Sequence, residues 1–120
     1  MQKYKVKFYK NSTNSKEPVL DYITKLPSKT KAKVYSYIEL LVFHRGCLDE
    51  PYSKHIQGKL RELRVDFNKH FHRIFYFTFI NKTIILLHAF NKKTKKTPKR
   101  EIDKAINNLN DVYNNPKIYE

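Results

Sequence analysis

Arg64, Arg73, Lys92 and Lys93 are the side chains of this sequence whose types and spacing could handle a phosphodiester. Arg64 and Arg73 fall on neighbouring candidate strands. The run NKKTKKTPKR, residues 91–100, leaves the strand beside that of Arg73 and carries six cations in its last nine residues. Gathered at one end of a sheet, such groups would bind successive phosphates and stabilise the extra negative charge of a pentacoordinate transition state. Arg61, Lys69, His70, Lys95 and Lys96 would extend the same basic surface along a nucleic-acid backbone. The competing expectation is that Arg64 pairs with Glu62 or Asp66 on the surface and that the lysines are merely solvated.

RNA can be cut without a metal when its own 2′-hydroxyl attacks the adjacent phosphate. That route needs a proton acceptor, a cation for the phosphorane and a donor for the leaving 5′-oxygen. His70, His72 and His88 have an unperturbed pKa of about 6.5, close to neutrality. A lysine packed among other cations also loses its proton more readily than in water. Arg73, Lys93, His88 and His72 are therefore the catalytic candidates. No carboxylate pair or second ligand doublet accompanies the histidines, and their cationic surroundings repel a divalent ion, so neither a metal nor another cofactor is expected. Tyr52, Phe67, Phe71, Tyr76 and Phe90 could stack on bases, but core packing is the default for all except Phe71 and Tyr52, which adjoin polar turns.

The charge is localised. Residues 51–100 hold thirteen Lys or Arg against Glu62 and Asp66 alone, so most of the net charge of +14 lies in less than half of the chain. This narrows the partner to RNA, DNA, an anionic membrane or an acidic protein. The cations interrupt strands and a loop instead of lining an amphipathic helix, which argues against a membrane anchor and against a helix shaped for a DNA major groove. Hydrophobic residues make up 40% of the 120, including nine Tyr and eight Phe, too much buriable surface for a disordered tail. There is no signal-peptide h-region or membrane-length apolar span, so the sequence predicts a soluble cytoplasmic protein. Cys47 is the lone cysteine and is expected to be semi-buried.

These side chains must be positioned by a small set of elements. Lys3 to Tyr9 alternates like a strand with one buried face. Ser15 is expected to cap a helix running to about Leu26, and Ser28 to cap a second that ends near Gly46. Cys47 to Gly58 lacks periodicity and reads as a surface connection. Leu60–Phe67, Phe71–Ile80 and Thr83–Phe90 read as three strands of a meander with turns at Asn68-Lys69 and Asn81-Lys82. Thr97, as N-cap before Pro98, opens a last helix. The expectation is one α+β domain over residues 1–120 in the order βααβββα. Its sheet would be four-stranded and mostly antiparallel, with the two N-terminal helices on one face and a C-terminal helix.

The segments LRELR at 60–64, HFHRIFY at 70–76 and LLHAFNKKTKKTPKREIDKA at 86–105 resemble the phage-derived branch of the RelE/HigB superfamily of bacterial toxins. The resemblance spans essentially the whole chain. It implies a RelE-like fold and an endoribonuclease that cuts mRNA on the ribosome and is silenced by a cognate HigA-like antitoxin with a helix-turn-helix domain. It also implies that Arg73, in HRIFY, takes the place of the strand arginine that contacts the scissile phosphate. Lys92, Lys93 and Arg64 would match the family's other basic positions. Three features depart from the pattern: Glu62 stands where RelE has a lysine, no tyrosine occurs near Glu101 or Ile102, where RelE has a catalytic one, and the turn with Lys69 and His70 is longer than in RelE. The alternative is a basic RNA- or ribosome-binding protein of the same fold without catalysis.

Overall fold

Alternating apolar residues and two left-handed turns lay down the sheet. In the computed structural model, which describes residues 3–120, β1 (Lys5–Phe8) precedes α1 (Pro18–Thr24) and α2 (Ser28–Phe43). Four strands follow: β2 (Ser53–Gln57), β3 (Leu60–Phe67), β4 (His70–Phe79) and β5 (Thr83–Asn91). The chain closes with α3 (Lys99–Asn114) and a 3-10 turn (Pro116–Tyr119). Asn68-Lys69 turns β3 into β4 with both residues at positive φ, the geometry of a two-residue hairpin whose twist matches its strands.

The sheet order is β1-β5-β4-β3-β2, with β1 parallel to β5 and every other pair antiparallel. The expected four-stranded, mostly antiparallel sheet is thus a five-stranded mixed one, and the order is βααββββα. The added strand, β2, lies inside the segment read as a surface connection. It is a bulged edge strand with Lys54, His55 and Gln57 exposed, so it is held by its backbone pairing to β3 and has no apolar alternation to announce it. Cys47 is exposed, not semi-buried.

The helix starts also differ. Ser15 sits at φ 63° in the preceding loop and α1 begins at Pro18, whose fixed φ suits a first helical turn. Pro27 and Pro98, not Ser28 and Thr97, stand at the cap positions of α2 and α3, and neither helix has a side-chain cap. Beyond α2 the chain reverses through Arg45 and Gly46, both at positive φ. A Cβ on Gly46 would lie 2.6 Å from Thr78 Oγ1, so glycine is required there for space as well as conformation.

Both faces of β4 carry large apolar groups because both are covered. Ile74 and Tyr76 join Val19, Ile23, Val34 and Leu41 under α1 and α2, while Phe75 and Phe77 join Leu87, Ala105 and Val112 under α3. An extra residue of β5, Leu87, enters where the register steps from Phe75↔His88 to Tyr76↔Leu86. Among the described residues, no helix is long and apolar enough to cross a membrane.

Asp111 of α3 fastens the β1 end of the chain. Its carboxylate accepts from Tyr9 Oη at 2.7 Å, from Ser12 N at 3.0 Å and Oγ at 2.6 Å, and from Asn115 Nδ2 at 3.0 Å. Burial opposes the charge on Asp111, but the bonds from Ser12, Tyr9 and Asn115 outweigh it and hold its pKa below the usual value. Asp111→Ala should cost about 2 kcal/mol in urea denaturation, the scale of hydrogen bonds to a charged group. Because the folded pKa is depressed, this contribution is present above the ordinary carboxylate pKa and disappears as the pH falls through the folded value. The wild-type and Asp111→Ala curves should therefore converge in acid.

Candidate phosphate-binding site

Glu62, Arg64 and Asp66 alternate along β3, so they share the face on which α3 packs, and the β3–β4 register sets Arg73 opposite Arg64. Glu62 is fully buried. Its Oε1 accepts from Arg64 Nε at 3.3 Å and lies 3.8 Å from Arg73 Nε, while its Oε2 accepts from Thr97 Oγ1 at 3.0 Å. One carboxylate thereby ties β3, β4 and the loop before α3 to a single point. A buried charge is tolerated only when partnered in this way.

Arg73 is 5% exposed. Its Nη1 donates to Asp66 Oδ1 at 2.6 Å and to the His72 carbonyl at 3.1 Å, and its Nε is buried without a hydrogen-bond partner. Arg64 also reaches Glu50 at 3.5 Å. Arg64 does pair with Glu62, but in the interior and not on the surface as expected, and Arg73 carries an acidic partner too. The two acids differ in kind: Glu62 is enclosed, whereas the Asp66 side chain is 58% exposed.

Beside Arg73 opens a groove of about 380 Å³ whose lining includes Asp66, Phe71, Lys92, Lys93 and Lys95. The amide of Lys92 donates to the Phe71 carbonyl at 2.8 Å, extending the pairing of β5 with β4 and fixing where the basic loop departs. Burial, then the charge of Arg73, pushes the Lys92 ammonium below its ordinary pKa; Glu62 works in the opposite sense. Phe71 is 46% exposed at the rim, a position suited to stacking.

Other candidates lie elsewhere. Arg61 is on the opposite face, donating to the Leu48 carbonyl at 3.1 Å and grouped with Ser53 and Tyr76. Its expected place on the basic surface is corrected: alternation sends it to the helix side. Lys69 is in the β3–β4 turn and Lys96 is exposed in the loop before α3. His70 faces Asn91, with Nδ1 3.0 Å from the amide nitrogen. His72 is buried on the helix side with Nδ1 2.6 Å from Tyr22 Oη. His88 stacks with Phe75 and Phe90 and places Nε2 3.0 Å from Glu101. Neither His72 nor His88 lines the groove at Arg73. Tyr76 and Phe90 belong to the cores, Phe67 has Lys33 over its ring, and Tyr52 meets Tyr37 edge to face. Among the described residues, no three His, Cys, Asp or Glu side chains are grouped to hold a metal ion.

Sequence reasoning missed Glu62 as the organiser and Asp66 as the occupant of the guanidinium. The signal was present, since acid, base and acid at 62, 64 and 66 must share one side of a strand.

A family model described as phage-derived protein Gp49-like (DUF891) matches residues 21–110, from α1 into α3. No curated protein matches the chain.

Glu62→Gln retains an acceptor for Thr97 but removes the charge that Arg64 and Arg73 share. It should cost about 3 kcal/mol in chemical denaturation, as breaking a buried charge cluster does. Glu50→Gln, at an exposed position, should cost less than about 1 kcal/mol.

Proposed function

The chain belongs to the Gp49-like family of phage-derived proteins, a family of the RelE/HigB toxin type, and we propose that it is a toxin that cuts mRNA through 2′-hydroxyl attack on the adjacent phosphate. The observation that carries this reading is the groove where the buried Arg73 guanidinium meets three lysines of the loop after β5. An RNA phosphate entering the groove displaces the exposed Asp66 carboxylate and takes its place on Arg73. Glu62 stays behind as a fixed counter-charge that aims both arginines, so the site is preorganised before substrate arrives. Lys92, Lys93 and Lys95 hold the flanking phosphates and Arg64 widens the positive field.

The acid–base roles in this reading are assigned to the lysines that line the groove. Lys92, whose charged form is disfavoured beside Arg73, is the groove's proton acceptor for the 2′-hydroxyl. Lys93, which also lines the groove, stabilises the phosphorane with Arg73 and protonates the leaving 5′-oxygen. His72 and His88, turned away from the groove, support it structurally. The substrate is message on the translating ribosome in the cytoplasm, and the partner that silences the enzyme is a HigA-like antitoxin with a helix-turn-helix domain.

A second reading, RNA or ribosome binding without cleavage, is favoured by one observation: both arginines already hold carboxylates. The two readings separate on translated message, where only the enzyme generates new 5′ ends. Arg73→Ala should abolish growth arrest and those ends while its far-UV circular dichroism matches wild type; a folded, fully toxic variant removes Arg73 from the mechanism. Replacing Lys92 and Lys93 together by Ala should weaken binding to all single-stranded sequences and flatten the salt dependence by about 1.4 log units per decade, from roughly 0.7 per phosphate contact. Lys92→Arg should keep binding yet lose cleavage. In the wild type the rate should rise with pH through a pKa below the ordinary lysine value, a limb absent from Lys92→Arg.

A further inference from the structure

Across the end of the sheet from the Arg73 groove lies a second opening, a cleft of about 590 Å³ between α1, the turn into α2 and the ends of β4 and β5. Tyr22, Leu26, Pro27, His70, His72 and Asn91 define its walls. The volume is that of a small-molecule site, and the lining is mostly apolar with a few polar groups, the usual makeup of such a site.

Two features give the cleft a chemical preference. His72 is 3% exposed and its Nε2 is buried with no hydrogen-bond partner, while Nδ1 is committed to Tyr22 Oη at 2.6 Å. Burial pushes the Tyr22 phenol up to about 12, so it remains a donor at neutral pH. Burial, then the charges of His70 and Arg73, lowers the His72 pKa and keeps the ring neutral. Whichever of Tyr22 Oη and Nδ1 donates, Nε2 is left as a buried ring nitrogen without a hydrogen-bond partner. Beside it, the His70 ring stacks on His72 with centroids 5.9 Å apart, and Asn68 and Asn91 add side-chain amides. Flat rings, amides and an unpartnered ring nitrogen suit a heteroaromatic ring with polar groups on its edge.

The cleft and the anion groove share a wall. Asn91 lines the cleft and accepts from the Phe71 amide at 3.1 Å, and Phe71 lines the groove. The cations divide unequally across this wall: Lys92, Lys93 and Lys95 border the groove, whereas the cleft has Lys25 together with Asp21. Phosphate therefore belongs on one side and an uncharged ring on the other.

We propose that the cleft receives a nucleobase of the RNA strand whose phosphate lies on Arg73. The strand crosses the ridge of Phe71 and Asn91, and the base enters beside His70 and His72. This makes the cleft the place where base preference arises. The inference rests on the RNA-cleaving reading for its substrate class, but binding tests it without any cleavage.

The full-length protein is titrated with each of the four nucleoside 5′-monophosphates and with ribose 5-phosphate, following the imidazole signals of His70 and His72 and the amides of residues 92–95 by NMR. At least one nucleotide should bind about tenfold more tightly than ribose 5-phosphate, the scale of one stacked base, and should move both imidazoles. Ribose 5-phosphate should move only the loop amides. Leu26→Trp, which fills the mouth of the cleft, should bring that nucleotide down to the level of ribose 5-phosphate. If all four nucleotides match ribose 5-phosphate and leave His72 unmoved, the base site is overturned, even when translated message is still cut. If the base enters the cleft but no message is cut, the site stands and the nuclease reading falls.

Discussion

The buried carboxylate of Glu62 is the constraint on which the rest of the site depends. It is fully buried on the same face of the sheet as α3, where an unpartnered charge would be prohibitively costly, and it is balanced by Arg64, Arg73 and Thr97. Each partner comes from a different segment, so satisfying one charge fixes β3 against β4 and both against the start of α3. A lysine at this position would add a third cation to the same face. With glutamate, the arginines are oriented by the fold itself, and their Nη1 groups reach the exposed acids Asp66 and Glu50.

Asp66 completes the logic by being the opposite kind of acid. Its hydrogen bond to Arg73 is short, but the side chain is largely solvated, so exchanging it for a phosphate costs little desolvation. The free protein is in this sense closed by its own carboxylate. The basic loop supplies what Asp66 lacks, several cations that only a polyanion can engage at once. On the proposed reading a lone phosphate gains one contact by displacing Asp66, whereas an RNA strand gains several, which favours nucleic acid over small anions.

Much of this was legible in the sequence where side chains repeat with a period. The meander of β3, β4 and β5 and the amphipathic α3 stand where alternation and helical spacing put them. β2 was not legible, because an edge strand with solvated Lys54, His55 and Gln57 is held by backbone pairing that leaves no apolar pattern. The helix starts shifted because Pro18, Pro27 and Pro98 dictate the entry geometry that Ser15, Ser28 and Thr97 were expected to set. Within the site, topology foretold that Arg73 and the loop lysines would meet. It could not assign the histidines: β4 is apolar on both faces, so nothing in its pattern says that His72 lies under the helices, or that His88 beside it is enclosed by aromatic rings and Glu101.

On the proposed reading, an RNA phosphate replaces Asp66 on the Arg73 guanidinium. The most direct measurement is a structure of the full-length protein bound to a short RNA whose 2′-hydroxyls are methylated, which blocks the attack while leaving the phosphates intact. The account expects a phosphate within hydrogen-bond distance of Arg73, the Asp66 carboxylate turned into solvent, and Glu62 still joined to Arg64 and Thr97. A complex in which Arg73 keeps its bond to Asp66 while the RNA lies on another surface would contradict it.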